Sequence, residues 1–275
     1  MQSSMVSIIV CKFLGIKIVA RNSEDPIHST LYADNYLLSI IVFIMRFVLY
    51  NFANGILTNS NGSKKSLELF IINKNKVKAL YNPYLLKIQN EKNIKKKDII
   101  LSAGRLCKQK DFFTLIKGFS QFLKKYPSYK LIILGDGPDK YKINNLIQSL
   151  NLKNKVLIKG WVQNTDQYFK SAKIFALTSL YEGLGNVYID AVNHEIPCVY
   201  SNCKSGPNEI LLGKKGGFPV RIKDYEHLKY QLEKCIINYS KSKKMINFAK
   251  KKINRFYYKE VCPKYLNYLK QISTS

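Results

Sequence analysis

The stretch TSLYEGLGNVYIDAVNHEIPCVYSNCKSGPNEIL, residues 178–211, decides the fold, because a strand, a glycine-rich loop and a helix follow one another across its start. The apolar run IFAL (174–177) just before it reads as a buried parallel strand, YEGLG (181–185) as a loop with little steric bulk, and residues 186–194 as the next helix. Glu182 then lies at a strand's carboxyl end, where open α/β sheets bind ligands. The N–H groups of Gly183, Leu184, Gly185 and Asn186 point out of the helix start and suit a phosphate. Asp190 follows about one turn into the helix, within reach of a sugar hydroxyl beside that phosphate. An ordinary strand–loop–helix junction also carries acids by chance, so this segment alone leaves both readings open.

The same unit repeats along the chain. Short apolar runs occur at IILSA (99–103), KLIIL (130–134), KVLI (155–158), KIFAL (173–177) and PCVY (197–200), with helical stretches at 111–125, 138–150 and 164–171 between them. Five strands separated by helices predict a parallel, doubly wound α/β sheet covered on both faces. Upstream the set is smaller: strands at 16–20, 55–59 and 77–81, with a long helix at 34–53, predict part of an α/β domain over residues 1–86. The Lys-rich segment 87–97 reads as a linker, 98–238 as a Rossmann-like domain, and 239–275 as a helical tail whose aromatic group Phe256, Tyr257 and Tyr258 packs back on the body.

Composition narrows the partners. The 275 residues carry a net charge of +27, but 40 of the 45 basic residues are Lys and only 5 are Arg. Base readers rely on the bidentate Arg fork, so the balance argues against nucleic acid and for an anionic membrane surface or a phosphate-bearing substrate. The six cysteines show no CxxC spacing and fit a reducing cytosol without a zinc site. His28, His194 and His227 lack metal spacing and read as surface or helix-end residues. Residues 5–20 read as a helix, a turn and a strand rather than a signal peptide. The apolar stretch 37–50 is short of the roughly 20 residues needed to span a bilayer, so it reads as a buried or interfacial helix.

A second strand end offers cations. GRLCKQKDF (104–112) places Gly104, Arg105 and Lys110 at the same sheet edge as Glu182, either as a clamp for a diphosphate or as a solvated basic loop. Gly135 in GDGP (135–138) permits close backbone approach by a ligand, or simply makes a strand-to-helix turn. Trp161, the single tryptophan, and Val162 end the third strand; the indole either flanks a nucleotide base or packs on a neighbouring helix.

In order, GRLCKQKDF, ILGDGP, VLIKGWVQN, SLYEGLGNVYIDA and SNCKSGPNEIL resemble the donor-binding domain of glycosyltransferase family 4, over about residues 98–222. The resemblance implies a GT-B fold and a retaining transferase that uses a nucleotide-diphosphate sugar. It implies that Arg105 and Lys110 hold the diphosphate and that Glu182, the first acid of an E-x7-E motif, contacts the donor sugar. Asp190 takes the second acid's place at the ribose, the backbone from Gly183 to Asn186 meets phosphates or sugar, and Trp161 and Val162 border the base. No metal or other cofactor is expected, since the basic residues and helix start supply the charge.

The resemblance further implies a glycan or lipid-linked acceptor, a role in cell-envelope polysaccharide or lipopolysaccharide assembly, and a cytoplasmic place on the inner face of the membrane. Three departures stand out. Asp190 is shorter than the usual Glu, Gly185 replaces a common Pro and leaves the loop less rigid, and Glu195 stands where a helix-ending Gly is typical. RNSEDP (21–26) and VKALYNP (77–83) match only the later part of the family's amino-terminal domain, which makes a truncated enzyme or a nucleotide-sugar-binding module the alternative.

Overall fold

The computed structural model describes residues 2–89 and 96–274, so the core of the linker expected at 87–97 lies outside the described residues. The amino-terminal part contains α1 (Gln2–Phe13), β1 (Val19–Asn22), α2 (Pro26–Leu31), α3 (Tyr36–Phe52), β2 (Gly55–Thr58), α4 (Asn61–Glu68) and β3 (Val77–Ala79). Then follow β4 (Lys97–Ala103), α5 (Phe112–Leu123), β5 (Lys130–Leu134), α6 (Lys140–Ser149), β6 (Val156–Ile158), α7 (Asp166–Ser171), β7 (Ala172–Leu177), α8 (Val187–Asn193), β8 (Cys198–Ser201) and α9 (Pro207–Ile210). The chain ends with β9 (Phe218–Val220), α10 (Tyr225–Ile237), α11 (Tyr239–Lys250) and α12 (Tyr258–Thr274).

Two parallel sheets result, one ordered β1-β2-β3 and the other β6-β5-β4-β7-β8-β9. In the larger sheet the order runs outward in both directions from the β4–β7 pair. Crossovers on either side of that pair therefore leave in opposite directions and open a crevice at the carboxyl ends of the two strands. The apolar runs become strands because both sheet faces are covered: Ile100, Leu101, Ile133, Ile174, Phe175 and Val199 are all buried. Asp111 starts α5 by accepting from the Thr114 amide at 3.2 Å, which fixes where the turn after β4 ends.

Two strand expectations change. β1 begins at Val19 rather than 16, because Gly15 turns the chain with φ +66° and Ile16 remains in solvent. A sixth strand, β9, follows Gly217; its three residues include Pro219, which masked the period. The aromatic tail does return to the body, with Phe256 buried beneath Tyr81. The helix expected to be buried or interfacial, α3, buries only Arg46, Phe47 and Tyr50. Leu37, Ile41, Ile44 and Val48 line an exposed face, and α1, packed on α3, exposes Val6, Val10 and Phe13. Among the described residues no helix is long and apolar enough to cross a membrane.

Glu195 takes the left-handed turn after α8 with φ +52°, where a side chain crowds the backbone. Glu195→Gly should raise stability by about 0.5–1 kcal/mol, read as a higher urea midpoint. An unchanged or lower midpoint would mean that the Glu195 contact with Lys243 outweighs the strain.

Candidate functional site

The turn leaving β4 and the loop leaving β7 meet at the crevice. Lys110 Nζ lies 2.6 Å from Glu182 Oε1, with side chains only 15% and 5% exposed. The same carboxylate oxygen accepts from Ser179 Oγ at 2.6 Å, and the Glu182 carbonyl accepts from Ser205 Oγ at 2.6 Å. The two segments are also laced through the backbone: the Leu180 amide donates to the Gln109 carbonyl at 2.7 Å, and Gln109 Nε2 donates to the Tyr181 carbonyl at 3.0 Å. Gly104 packs along the aliphatic stem of Lys110, so the stem is aimed at Glu182 rather than swinging freely. Arg105 is exposed at the rim, and no described group hydrogen-bonds its guanidinium.

These residues share a cleft of about 410 Å³ with Gly183, Leu184, Gly185 and Asn186. Ser23, Asn59 and Asn82 form its opposite wall from the amino-terminal part. A Cβ on Gly183 would overlap the Ser23 carbonyl oxygen, which Asn59 Nδ2 holds at 2.9 Å; only glycine lets the loop pass. Among the described residues the amides of Gly183, Leu184 and Gly185 have no hydrogen-bond acceptor. Gly185 adopts φ +81°. A proline cannot, so its replacement changes the loop's course as well as its stiffness. Asn186 is fixed by Asn82 Nδ2 at 2.9 Å, and Arg21 in turn donates to Asn82 Oδ1 at 2.6 Å.

Asp190 does not join this cleft. It faces a second one, of about 400 Å³, lined by Tyr84, Gln163, Asn164, Asp166 and His194. Tyr84 Oη donates to Asp190 Oδ2 at 2.6 Å. Burial raises the Asp190 carboxyl to about 6, against the pull of that bond, with nearby Asp166 pushing the same way. The Tyr84 phenol is raised too, by burial first and then by Asp190. His194 ends α8 as expected but is buried, with Nε2 at 3.1 Å from Asp166 and its ring on Phe169.

Three sequence candidates stand apart from both clefts. Gly135, at φ +142°, is required because a Cβ would overlap the Gly104 carbonyl oxygen; the close approach is to another strand end, not to the cleft. Trp161 is 78% exposed, whereas Val162 is half-buried against the core. Among the described residues no group of three or more His, Cys, Asp or Glu is arranged to hold a metal. Ser179, Ser205, Gln109 and Tyr84 had no assigned role in the sequence, although Ser205 sits inside SNCKSGPNEIL, one of the motifs that carry the resemblance.

Lys110→Met leaves the Glu182 carboxylate buried without its cation, and should cost about 3–5 kcal/mol in urea unfolding. The double variant Lys110→Met/Glu182→Gln should recover most of that loss; additive losses would show that the two groups do not depend on each other. For Asp190 the folded state binds the proton more tightly than the unfolded chain, so its contribution is complete below about pH 4 and is lost as pH rises through about 6. The stability of Asp190→Asn relative to the parent should therefore climb across that window by on the order of 2–3 kcal/mol, and a flat difference would contradict the burial argument.

Comparison with known proteins fits this architecture. The family described as "Glycosyl transferases group 1" matches residues 86–252. An uncharacterized glycosyltransferase of Methanocaldococcus jannaschii is 37% identical over 200 residues, covering 68% of this chain and 48% of that protein. The Campylobacter jejuni N-acetylgalactosamine-N,N'-diacetylbacillosaminyl-diphospho-undecaprenol 4-alpha-N-acetylgalactosaminyltransferase is 31% identical over 267 residues, covering 95% of this chain and 72% of that protein. The crystal structure of Anabaena HepE with UDP and glucose superposes with a TM-score of 0.84 at 18% identity, over 98% of this chain and 75% of that one. The chain thus spans about half the length of the first relative and under three quarters of the second. Its two facing parallel α/β sheets form a GT-B fold, and the chain belongs to the group 1 glycosyltransferases.

Proposed function

We propose that this chain is a family 4 glycosyltransferase that moves a sugar, with retention of configuration, from a nucleotide-diphosphate donor to a hydroxyl of a glycan or lipid-linked acceptor. The observation that carries this reading is the set of groups converging on one cleft: the Lys110 ammonium, the unengaged Arg105 guanidinium and three unengaged amides at Gly183, Leu184 and Gly185. An ammonium has three donors. One is spent on Glu182, which leaves two for phosphate oxygens. In the reaction the bond from the anomeric carbon to the diphosphate oxygen breaks, and the acceptor oxygen bonds to that carbon on the same face. The acceptor's proton passes to the departing diphosphate, whose growing charge Lys110 and Arg105 neutralise. Glu182 orients the donor sugar from the cleft floor. No metal is assigned a part, because the cations and amides supply the charge.

Asp190 and Tyr84 in the neighbouring cleft fit a ribose, with Asn164 on the same lining toward the base. The Campylobacter relative's name, with its diphospho-undecaprenol acceptor, supports a lipid-linked acceptor and cell-envelope polysaccharide assembly. The net charge of +27 supports an anionic membrane surface as a further partner, on the cytoplasmic side. A second reading, donor binding without transfer, is favoured by the three-stranded amino-terminal sheet, in which β1 has no described neighbour on its outer side.

Transfer or donor hydrolysis by the purified chain separates the two readings. Arg105→Ala should weaken nucleoside-diphosphate binding roughly tenfold or more in calorimetry, as the loss of a charge-assisted contact predicts. Unchanged affinity would remove Arg105 from the phosphate site.

A further inference from the structure

At the far edge of the larger sheet, β9, α10 and α11 enclose a groove of about 1020 Å³, larger than either cleft and sharing no residue with them. Its floor is apolar: Phe218, Tyr230, Ile237, Met245 and Phe248 line it, and Ile237 is 70% exposed. Its rim carries six exposed cations, Lys214, Lys215, Arg221, Lys234, Lys241 and Lys244. Among the described residues that line it Glu233 is the one acid, and Lys229 approaches that carboxylate at 3.6 Å.

We propose that this groove seats an anionic phospholipid of a bilayer surface, with the acyl chains against the apolar floor and the phosphate among the rim lysines. This gives the membrane-surface partner named above a place on the molecule, and rests on that reading. Charge and apolarity together select the occupant. An added β-strand is blocked, because β9 is three residues long and Pro219 at its centre has no N–H to donate. An acidic protein partner is matched best by Arg forks, yet five of the six rim cations are Lys, and Arg221 is already held by Asp224 at 2.8 Å. A free phosphate has no use for the floor. Lysines above an apolar trough suit a headgroup joined to hydrocarbon.

The test is co-sedimentation of the full chain with phosphatidylcholine vesicles made with and without phosphatidylglycerol. The parent should bind the anionic vesicles. Lys234→Gln/Lys241→Gln/Lys244→Gln should weaken that binding about tenfold or more, and Ile237→Asp, at an exposed position, should weaken it as well. A control, Lys124→Gln/Lys130→Gln/Lys153→Gln, removes the same charge from the β5–β6 side of the sheet and should have a much smaller effect. Equal losses in both triple variants, or groove variants that bind like the parent while retaining the parent's melting profile, overturn the groove. A parent that ignores phosphatidylglycerol overturns the membrane reading along with it.

Discussion

A nearly buried ammonium–carboxylate pair stands where the larger sheet reverses its strand order, and the site is arranged around it. Lys110 comes from the turn after β4 and Glu182 from the loop after β7, the two strands whose crossovers diverge. A pair this buried gains little net stability from its own attraction, because both ions have left water. Its value is positional: each charge is intolerable without the other, so the two strand ends are held in one register. The cation that faces the cleft is already oriented by a carboxylate and by the backbone of Gly104.

The amino-terminal part is built into this arrangement. Gly183 passes under the Ser23 carbonyl, Asn82 grips Asn186, and Tyr84 reaches Asp190. Asp25 extends the contact. Burial alone would raise its carboxyl, but hydrogen bonds from His28 and Ser66 outweigh burial and hold it below the ordinary value, while Ser205 approaches it from the carboxyl-terminal side. Because Ser205 is also bonded to the Glu182 carbonyl, a short polar chain runs from α2 to the floor of the cleft. The two clefts are therefore properties of both sheets together.

How much of this was legible in the sequence follows from locality. The five apolar runs announced their strands because a parallel sheet covered on both faces needs continuous apolar residues. β9 escaped because three residues with a central proline carry no period, and β1 was shifted because its last residue is the buried, polar Asn22, which bonds to the Glu24 carbonyl. Arg105, Lys110 and Glu182 were readable because each lies within a few residues of a strand end. Ser23 and Asn59, which meet Gly183, and Tyr84, which meets Asp190, approach from far along the chain, and no local pattern marks them. Asp190 was located on the right helix, but its direction depends on Tyr84, so its separate cleft was not readable.

The last described helix has a consequence for how the molecule is made. Tyr268 Oη on α12 donates to the Lys76 carbonyl and Tyr265 Oη to the Leu80 carbonyl, and Tyr268 packs with Leu57 and Leu80 beneath the first sheet. Glu209, between β8 and β9, accepts from the Asn61 and Gly62 amides at the start of α4. The sheet synthesised first thus receives a helix cap and part of its core from residues synthesised long afterwards. On the ribosome its apolar surface must wait, partly uncovered, while the six-stranded sheet emerges and folds. For this chain, the core beneath the first sheet is closed only once α12 has been made.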